Sequence, residues 1–395
     1  MTTNNNIPSI TMTVIFEGSA LNRNEKIGGN ILSVKKLNVN GEEKTYLSKG
    51  AIRHYLFNTL VRAKKWKEAK ILPDGQVLQF DIKADDILTC EELDAFGYMN
   101  TTQGQTRKTP LHITKAISMF PYEQDMGMYA NHDLVRRAKE QGSLDSSANP
   151  NPFNKEEHTS FYKITFTVDS DKLGVDKWIV PIVEVDGQKQ TITLKNVPQK
   201  EEKGGETTEE VETNNDKKNE KKEKAPKEEI LRLIAYNTQP DKNKNRFEVE
   251  NGIIEFGQLQ NKRYWVTFEL SPKIKLKRIR DILTTIHSGL IAHTSSESNT
   301  IVPLFTIVGD VTVPSPVFHS FIDVKKTDDG SFEVIGIKDA INNGWLNGTL
   351  FVKGCERLKA QYPKELGALI KTETWDAFLT AVNLTKPETN ESSAN

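Results

Sequence analysis

The chain has 395 residues, 36% of them hydrophobic and 27% charged, which exceeds one ordinary domain of roughly 150 residues. No apolar run approaches the roughly 20 residues that span a bilayer, and Met1 to Ile7 lacks the basic start and apolar centre of a secretory signal. The sequence therefore predicts a cytoplasmic protein with no membrane partner.

Charge and cysteine content exclude further classes of protein. With only Cys90 and Cys355, neither a disulfide framework nor a cysteine-based zinc site can be built. The formal net charge is −1, but the segment 199–229 holds eleven acidic residues and eight lysines, and the remainder has 45 basic against 43 acidic residues. That segment has too little apolar surface to fold, so we expect a disordered insertion in an otherwise slightly basic protein.

Strand and helix signals alternate along the chain. Every second residue from Ile10 to Phe16 is apolar, which predicts a first strand. Ser48 is a candidate N-cap for a helix whose apolar face carries Ile52, Tyr55, Leu56 and Leu60. Later signals predict strands at Val77 to Ile82, Tyr162 to Val168, Tyr264 to Leu270 and Val302 to Val311, and an amphipathic helix from Leu276 to Leu290.

The order strand, helix, strands, helix, strand predicts an α+β, split-βαβ sheet of the ferredoxin-like kind. Two long insertions interrupt it. Asp85 to Asn154 is predicted to be mostly helical or irregular, with a helix from Asp133 to Gln141. Trp178 to Lys262 contains short strand signals and predicts an extended hairpin-like projection.

The sharpest local signal for function is the sequence KGAIRHYLFNTL at the start of the first helix. Lys49 and Arg53 are four residues apart and share a helix face, where the dipole disfavours cations. A bound phosphate would offset that cost, and a solvated basic face is the alternative. The preceding loop adds polar and basic residues among glycines that permit close approach of a ligand, namely Asn22, Arg23, Lys26 and Asn30.

Signals for catalysis are weak. The chain lacks GxxxxGK[ST], GxGxxG, HExxH and GxSxG patterns, so no metal or cofactor is predicted. Glu156, Glu157 and His158 form one conceivable acid–base cluster. Arg107 and Lys108 are further basic residues that could follow a backbone-phosphate track or only aid solubility.

Several blocks taken together, in their order and spacing, resemble the DevR-like family of CRISPR-associated proteins. They are ITMTVIFEGSALNRNE with IGGN, KGAIRHYL, FGYM with RKTPL, NPFNKEEHTSFYKITF, and RIRDILTTIHSGLIAHTSS before PLFTIVGDV. The resemblance extends from about Ile10 to Phe321 and is to the "Cas seven" backbone subunit of type I effector complexes (Cascade), in the subtype I-B branch.

The resemblance implies an RRM-like palm with a helical fingers insertion and a β-hairpin thumb insertion. Its predicted segments are 8–84 (palm, first part), 85–154 (fingers), 155–177 (palm strand), 178–262 (thumb, with the disordered linker 199–229), 263–323 (palm, second part), 324–384 (a C-terminal extension of strands and helices) and 385–395 (disordered tail).

The same resemblance implies that the chain binds CRISPR RNA. It assigns this contact to the loop and helix residues Asn22, Arg23, Lys26, Asn30, Ser48, Lys49 and Arg53, and more weakly to Arg107, Lys108, Ser295, Ser296 and Asn299. Expected partners are other copies of the chain in a helical filament, other Cascade subunits, and target DNA paired to the guide.

Related type III subunits cleave RNA with an Asp that follows a glycine pair in the strand-one loop. Here Gly28 and Gly29 precede Asn30, and no Asp occurs from Glu17 to Ser33, so the resemblance implies a non-catalytic scaffold. Two alternatives stay open. One is a guide-processing endoribonuclease with His158 or His54 as general base, and the other is a protein-interaction scaffold without nucleic acid.

Overall fold

The computed structural model describes residues 7–20, 23, 31–72, 77–142, 149–196, 228–237, 245–293, 297–362 and 373–385. Most of the two segments predicted to be disordered, 199–229 and 385–395, lies outside these ranges. Within them, no helix has the length and apolar character needed to cross a lipid bilayer.

The helices are Lys49–Lys64 (α1), Glu91–Phe96 (α2), His132–Glu140 (α3), Pro272–Ser288 (α4), Ile337–Ile341 (α5) and Trp375–Ala381 (α6). The strands up to the second insertion are Ser9–Ser19 (β1), Ile31–Leu32 (β2), Lys36–Val39 (β3), Glu42–Leu47 (β4), Tyr98–Asn100 (β5), Gln105–Arg107 (β6), Leu111–Ile113 (β7), Ala116–Ser118 (β8), Asp125–Tyr129 (β9), Phe153–Glu157 (β10) and Thr159–Val168 (β11). The remaining strands are Val175–Val180 (β12), Ile182–Asp186 (β13), Thr191–Asn196 (β14), Glu229–Ala235 (β15), Arg246–Val249 (β16), Gly252–Gln258 (β17), Tyr264–Leu270 (β18), Leu290–His293 (β19), Ser298–Ile301 (β20), Pro303–Val311 (β21), Asp323–Lys326 (β22), Phe332–Ile335 (β23), Leu346–Lys353 (β24) and Lys359–Ala360 (β25).

The chain forms two compact units. The first comprises Met1–Glu68, Thr109–Leu173 and Pro272–Asn395. Its eight-stranded sheet has the order β24-β21-β1-β11-β8-β4-β3, and β7 also pairs with β11. β1 lies antiparallel between β11 and β21, with α1 following β1 and α4 preceding β21 in sequence. This strand order is that of a split-βαβ sheet and confirms the α+β prediction.

Helix α1 forms where its cap and apolar face predict it. The Ser48 Oγ accepts a hydrogen bond from the Ala51 N–H at 3.2 Å, and Ile52 and Leu56 are fully buried. The helix from Leu276 is also confirmed, but it ends at Ser288 because Gly289 adopts a φ of 106°. Leu290, predicted on the helix face, therefore begins β19.

The two faces of the main sheet have different coverings. On one face Met12 and Val14 of β1 are buried, and α1 and α4 pack together and contact the strands β7 and β21. On the other face Phe318 and Ile322, together with Val334 and Ile337 of the C-terminal extension, pack with Ile15 in one apolar cluster. The chain therefore covers with its own residues the sheet face that lies opposite the helices.

Buried threonines continue that covered face. The hydroxyls of Thr13 and Thr165 are 2.6 Å apart, and Thr11 and Thr167 form the same cross-strand pair at 3.0 Å. The Thr165 hydroxyl also bonds the Nδ1 of His319, which lies between β21 and the extension, at 2.8 Å. These pairs satisfy polar groups that would otherwise destabilise the interior.

The second unit comprises Ala69–Lys108 and Gly174–Ser271. It contains a four-stranded antiparallel sheet of order β12-β18-β17-β16, a three-stranded sheet β13-β14-β15 and the hairpin β5-β6. Two aromatic side chains, Trp178 and Phe268, are fully buried with ring centroids 4.7 Å apart. They anchor β12 to β18 across the core of the larger sheet.

Several sequence predictions need correction. Tyr264 to Leu270 is a strand, but it pairs in the second unit and not in the main sheet. Val77 to Ile82 forms no strand and has only an isolated bridge from Phe80 to Ile71, because Val77 and Leu78 are exposed. The segment 85–154 contains α3, as predicted, but it also contributes β7 and β8 to the main sheet. The names and boundaries of palm, fingers and thumb stay predictions.

Candidate nucleic-acid interface

The start of α1 presents positive charge to solvent. Lys49 occupies the first helical position and is exposed, while Arg53, one turn later, is half-buried. The helix has no acidic residue in its first turn. The backbone N–H groups of this turn and the Lys49 ammonium group therefore create a positive potential that suits an anion.

His112 of β7 lies near a second group of charges, which acts on its imidazole together with Lys49. Burial lowers the pKa of its imidazole, Asp169 acts in the opposite direction, and Lys172 and Lys49 lower it further. Lys172 itself pairs with Asp169 at 2.5 Å. Sequence reasoning missed His112 because β7 and α1 are brought together only by the fold, and no local pattern marks the residue.

Asn299 of β20 is hydrogen-bonded to the end of β1, directly before the loop that was predicted to contact RNA. The Asn299 Oδ1 accepts from the Ser19 N–H at 3.2 Å, and its Nδ2 donates to the Ser19 carbonyl at 2.7 Å. The predicted residue Asn299 therefore contacts the protein backbone at the base of the loop.

Arg23 lies against β10. Its guanidinium donates to the Glu156 carbonyl and lies 3.5 Å from the Glu157 carboxylate, and its side chain is only 15% exposed. This cation is thus largely neutralised by an acidic partner. The other predicted residues of this region lie outside the described residues, namely Asn22, Lys26, Asn30, Ser295 and Ser296.

The predicted acid–base cluster is accounted for by contacts within the first unit. Glu156 accepts from the Val34 N–H at 2.9 Å and from Lys36 Nζ at 3.1 Å. Glu157 accepts from the Tyr129 hydroxyl at 2.9 Å in addition to its pairing with Arg23. The two carboxylates therefore join the strands around β10.

His158 is hydrogen-bonded to neighbouring residues of the first unit. Its Nδ1 is 2.7 Å from the Thr45 hydroxyl, which in turn is 2.7 Å from the Tyr162 hydroxyl, and its ring also bonds the Pro121 carbonyl. Burial lowers the pKa of the imidazole, while Pro121 and Glu123 act in the opposite direction. A neutral ring that donates to Pro121 and accepts from Thr45 satisfies this network.

Arg107 and Lys108 differ in their surroundings. The Arg107 side chain is 5% exposed and pairs with Asp94 at 2.7 Å inside the second unit, and its contact with a nucleic acid stays a prediction. Lys108 is exposed. Successive side chains of β6 point to opposite faces, so Arg107 is buried, and Lys108, directly after the strand, continues this alternation.

No metal site is evident within the ranges that the structure describes. There, no group of three or more His, Cys, Asp or Glu side chains lies close enough together to hold an ion.

Comparison with known proteins adds a family assignment. A sequence model described as "CRISPR-associated negative auto-regulator DevR/Csa2" matches residues 10–330, and no curated protein matches. Solved structures with a partial likeness include a "CRISPR RNA-guided surveillance complex, pre-nicking" (12% identity, TM-score 0.28, 42% of this chain and 65% of that chain). Others are a "CRISPR RNA-guided surveillance complex" (10%, 0.27, 42% and 51%) and a "Type IV-B CRISPR Complex" (13%, 0.24, 40% and 71%). The family match covers most of the sequence, and the chain therefore belongs to the DevR/Csa2 family of CRISPR-associated proteins.

Proposed function

We propose that this chain is a non-catalytic, RNA-binding backbone subunit of a type I CRISPR effector complex of subtype I-B. Copies of the chain polymerise along the CRISPR RNA and present it for pairing with target DNA. The single observation that carries the proposal beyond family membership is the exposed cationic start of α1, where Lys49 follows a capped helix N-terminus.

The proposed contact is with the sugar–phosphate backbone of the guide. Backbone contacts fix register and orientation without reading sequence, so specificity is left to base pairing with the DNA. The C-terminal extension occupies the sheet face that lies opposite the helices, and this supports binding at the helix start over base stacking on that face.

The surroundings of the two histidines support a scaffold over an endoribonuclease. The half-buried imidazole of His158 is hydrogen-bonded to Thr45 and Pro121, as described above. The Nε2 of His54 is 3.0 Å from the Asn58 amide on the same helix. A general base must reach the proton that it removes, and each of these imidazoles is instead hydrogen-bonded to a neighbouring protein group.

Assembly follows from repeated head-to-tail contacts. An interface that does not close into a ring generates a helical filament, and in the proposed complex the length of the guide RNA and the flanking subunits limit its growth. Each copy would then neutralise its own short stretch of phosphates, of the same length from copy to copy. Phosphate contacts do not depend on sequence, so the copies need no sequence preference.

The decisive experiment is co-expression with a CRISPR RNA, followed by purification and measurement of retained RNA. The double variant Lys49→Glu with Arg53→Glu should lose the guide RNA. The matched control, Arg62→Glu with Lys64→Glu, makes the same charge change at the other end of α1 and should retain it. Full-length guide RNA co-purifying with the first variant would contradict the proposed groove.

The interaction-scaffold alternative makes a different forecast for the same preparations. A protein that uses its lysines only for solvation would purify without nucleic acid, whatever the charge at Lys49. The ratio of ultraviolet absorbance at the nucleic-acid and protein maxima decides between the two functions.

A further inference from the structure

Asn299 and the last residues of β1 are brought together from distant parts of the sequence. Asn299 and Ser19 are 280 positions apart, yet they exchange two hydrogen bonds, N–H to Oδ1 at 3.2 Å and Nδ2 to carbonyl at 2.7 Å. The same Oδ1 accepts from the N–H of Thr300 at 2.9 Å. Both acceptor positions of the Asn299 oxygen and one of its two N–H donors are thus used.

Gly18 provides the space that this arrangement requires. A Cβ atom at position 18 would lie 2.9 Å from the Asn299 Oδ1, 3.2 Å from its Nδ2 and 3.3 Å from the Thr300 carbonyl. An alanine there would push the amide away from Ser19 or move the strand. The glycine therefore fits a close approach of backbone and side chain.

We infer that Asn299 and Gly18 act as positioning residues, which fix the point where the chain leaves β1 for the loop with the proposed RNA contacts. The inference rests on the proposed function and assigns Asn299 a role different from the direct RNA contact implied by family resemblance. The side-chain amide of Asn299 makes the two hydrogen bonds to Ser19 that the backbone of a neighbouring strand would make. It therefore holds the end of β1 beyond the point where the pairing with β21 changes register.

The register shift leaves the last residues of β1 without a partner in β21. Between Ile15 and Phe16 the pairing of β1 with β21 changes, and the last partner on that side is Pro303, which has no N–H to donate. On this side the remaining residues of β1 are met by β20, through Asn299 and the bond from the Thr300 hydroxyl to the Glu17 carbonyl. The other side is paired with β11 as far as Thr159.

The first test uses RNA-free protein and measures amide hydrogen exchange. In Asn299→Ala, exchange of the Ser19 amide should accelerate about tenfold or more, because its acceptor is removed. Gly18→Ala should give the same acceleration through displacement of the amide. Asn342→Ala, which removes an exposed asparagine elsewhere in the same unit, should leave exchange at Ser19 unchanged.

The second test measures binding of a fluorescein-labelled single-stranded RNA of mixed sequence. Asn299→Ala and Gly18→Ala should each weaken binding about tenfold, and the double variant should be no weaker than either single variant, since both changes disrupt one contact. Loss of affinity in Asn299→Ala without faster exchange at Ser19 would overturn the inference in favour of direct contact. Faster exchange with unchanged affinity, or additive losses, would overturn it as well.

The proposed function and this inference fail in different ways. Failure of the unaltered protein to bind RNA would refute the proposed function, and the exchange measurement would still decide whether Asn299 holds Ser19. Retained RNA binding with unchanged exchange in both variants would refute only the inference.

Discussion

The carboxylate of Asp94 and the guanidinium of Arg107, 13 positions apart in sequence, lie 2.7 Å from each other in the interior of the second unit. The same guanidinium donates to the carbonyls of Asp94 and Val175 and lies 3.7 Å from the carboxylate of Asp176. The Tyr98 hydroxyl donates to Asp176 at 2.7 Å. One arginine therefore compensates two buried carboxylates.

Arg107→Met should lower the free energy of unfolding by about 3–5 kcal/mol, because two buried carboxylates would lose their counter-charge. Urea unfolding followed by circular dichroism measures this change. Lys108→Met, which alters an exposed neighbour, should change the free energy of unfolding by no more than about 0.5 kcal/mol. Equal effects of the two substitutions would contradict the assignment of Arg107 to the interior.

Ser48 allows stability and RNA binding to be tested separately. Ser48→Ala should destabilise the protein by about 1 kcal/mol, because the Ala51 N–H loses its cap. Ser48→Asp keeps a capping oxygen and should preserve the melting temperature, but its negative charge beside Lys49 should weaken binding of RNA. An aspartate variant that binds RNA as well as the unaltered protein would argue against a phosphate at this helix end.

His319 predicts a pH dependence of stability. Burial, with a smaller effect of Lys163, lowers its pKa from 6.5 to about 4 in the folded protein. The unfolded chain therefore binds this proton first, and the stability due to the neutral ring is complete above pH 6.5 and is lost as the pH falls toward 4. After discounting for partial solvent exposure, the loss is about 1–2 kcal/mol.

The variant His319→Gln isolates this contribution. Its free energy of unfolding should fall less steeply than that of the unaltered protein between neutral and acidic pH, as measured by urea unfolding at a series of pH values. Parallel curves for the two proteins would show that other groups, among them the half-buried His158 and His287, carry the whole effect.

The proposed absence of catalysis is tested with a precursor of the guide RNA. Incubation with the purified protein should give no discrete products, because the imidazole of His158 is already hydrogen-bonded to Thr45 and Pro121. Gel electrophoresis of the RNA over time provides the measurement. Discrete cleavage that disappears in His158→Ala would instead establish the endoribonuclease.

Local patterns predicted much of the first unit. The apolar alternation of β1, the cap and face of α1, and the periodicity of α4 are properties of neighbouring residues, and all three elements were predicted close to their bounds. Alternation cannot say which sheet a strand joins. The strand Tyr264–Leu270 was therefore found but assigned to the wrong sheet, since its partners β12 and β17 are set by tertiary pairing.

The candidate site was harder to predict because its electrostatics depend on residues far away in sequence. Arg23 resembles a free cation until the fold brings it to Glu156, 133 positions later. Asn299 resembles a polar ligand until Ser19 is seen beside it. Lys49, by contrast, begins a helix on an exposed surface, where sequence position and solvent exposure agree.

The packing of Phe318 and Ile322 onto the sheet has a practical consequence for producing shorter versions of this protein. A version that stops at Val311 would uncover Ile15, Phe161 and the threonine pairs of β1 and β11. Such a fragment would expose a large apolar surface to water and would be prone to precipitate. The smallest workable expression boundary therefore lies beyond the last strand of the extension.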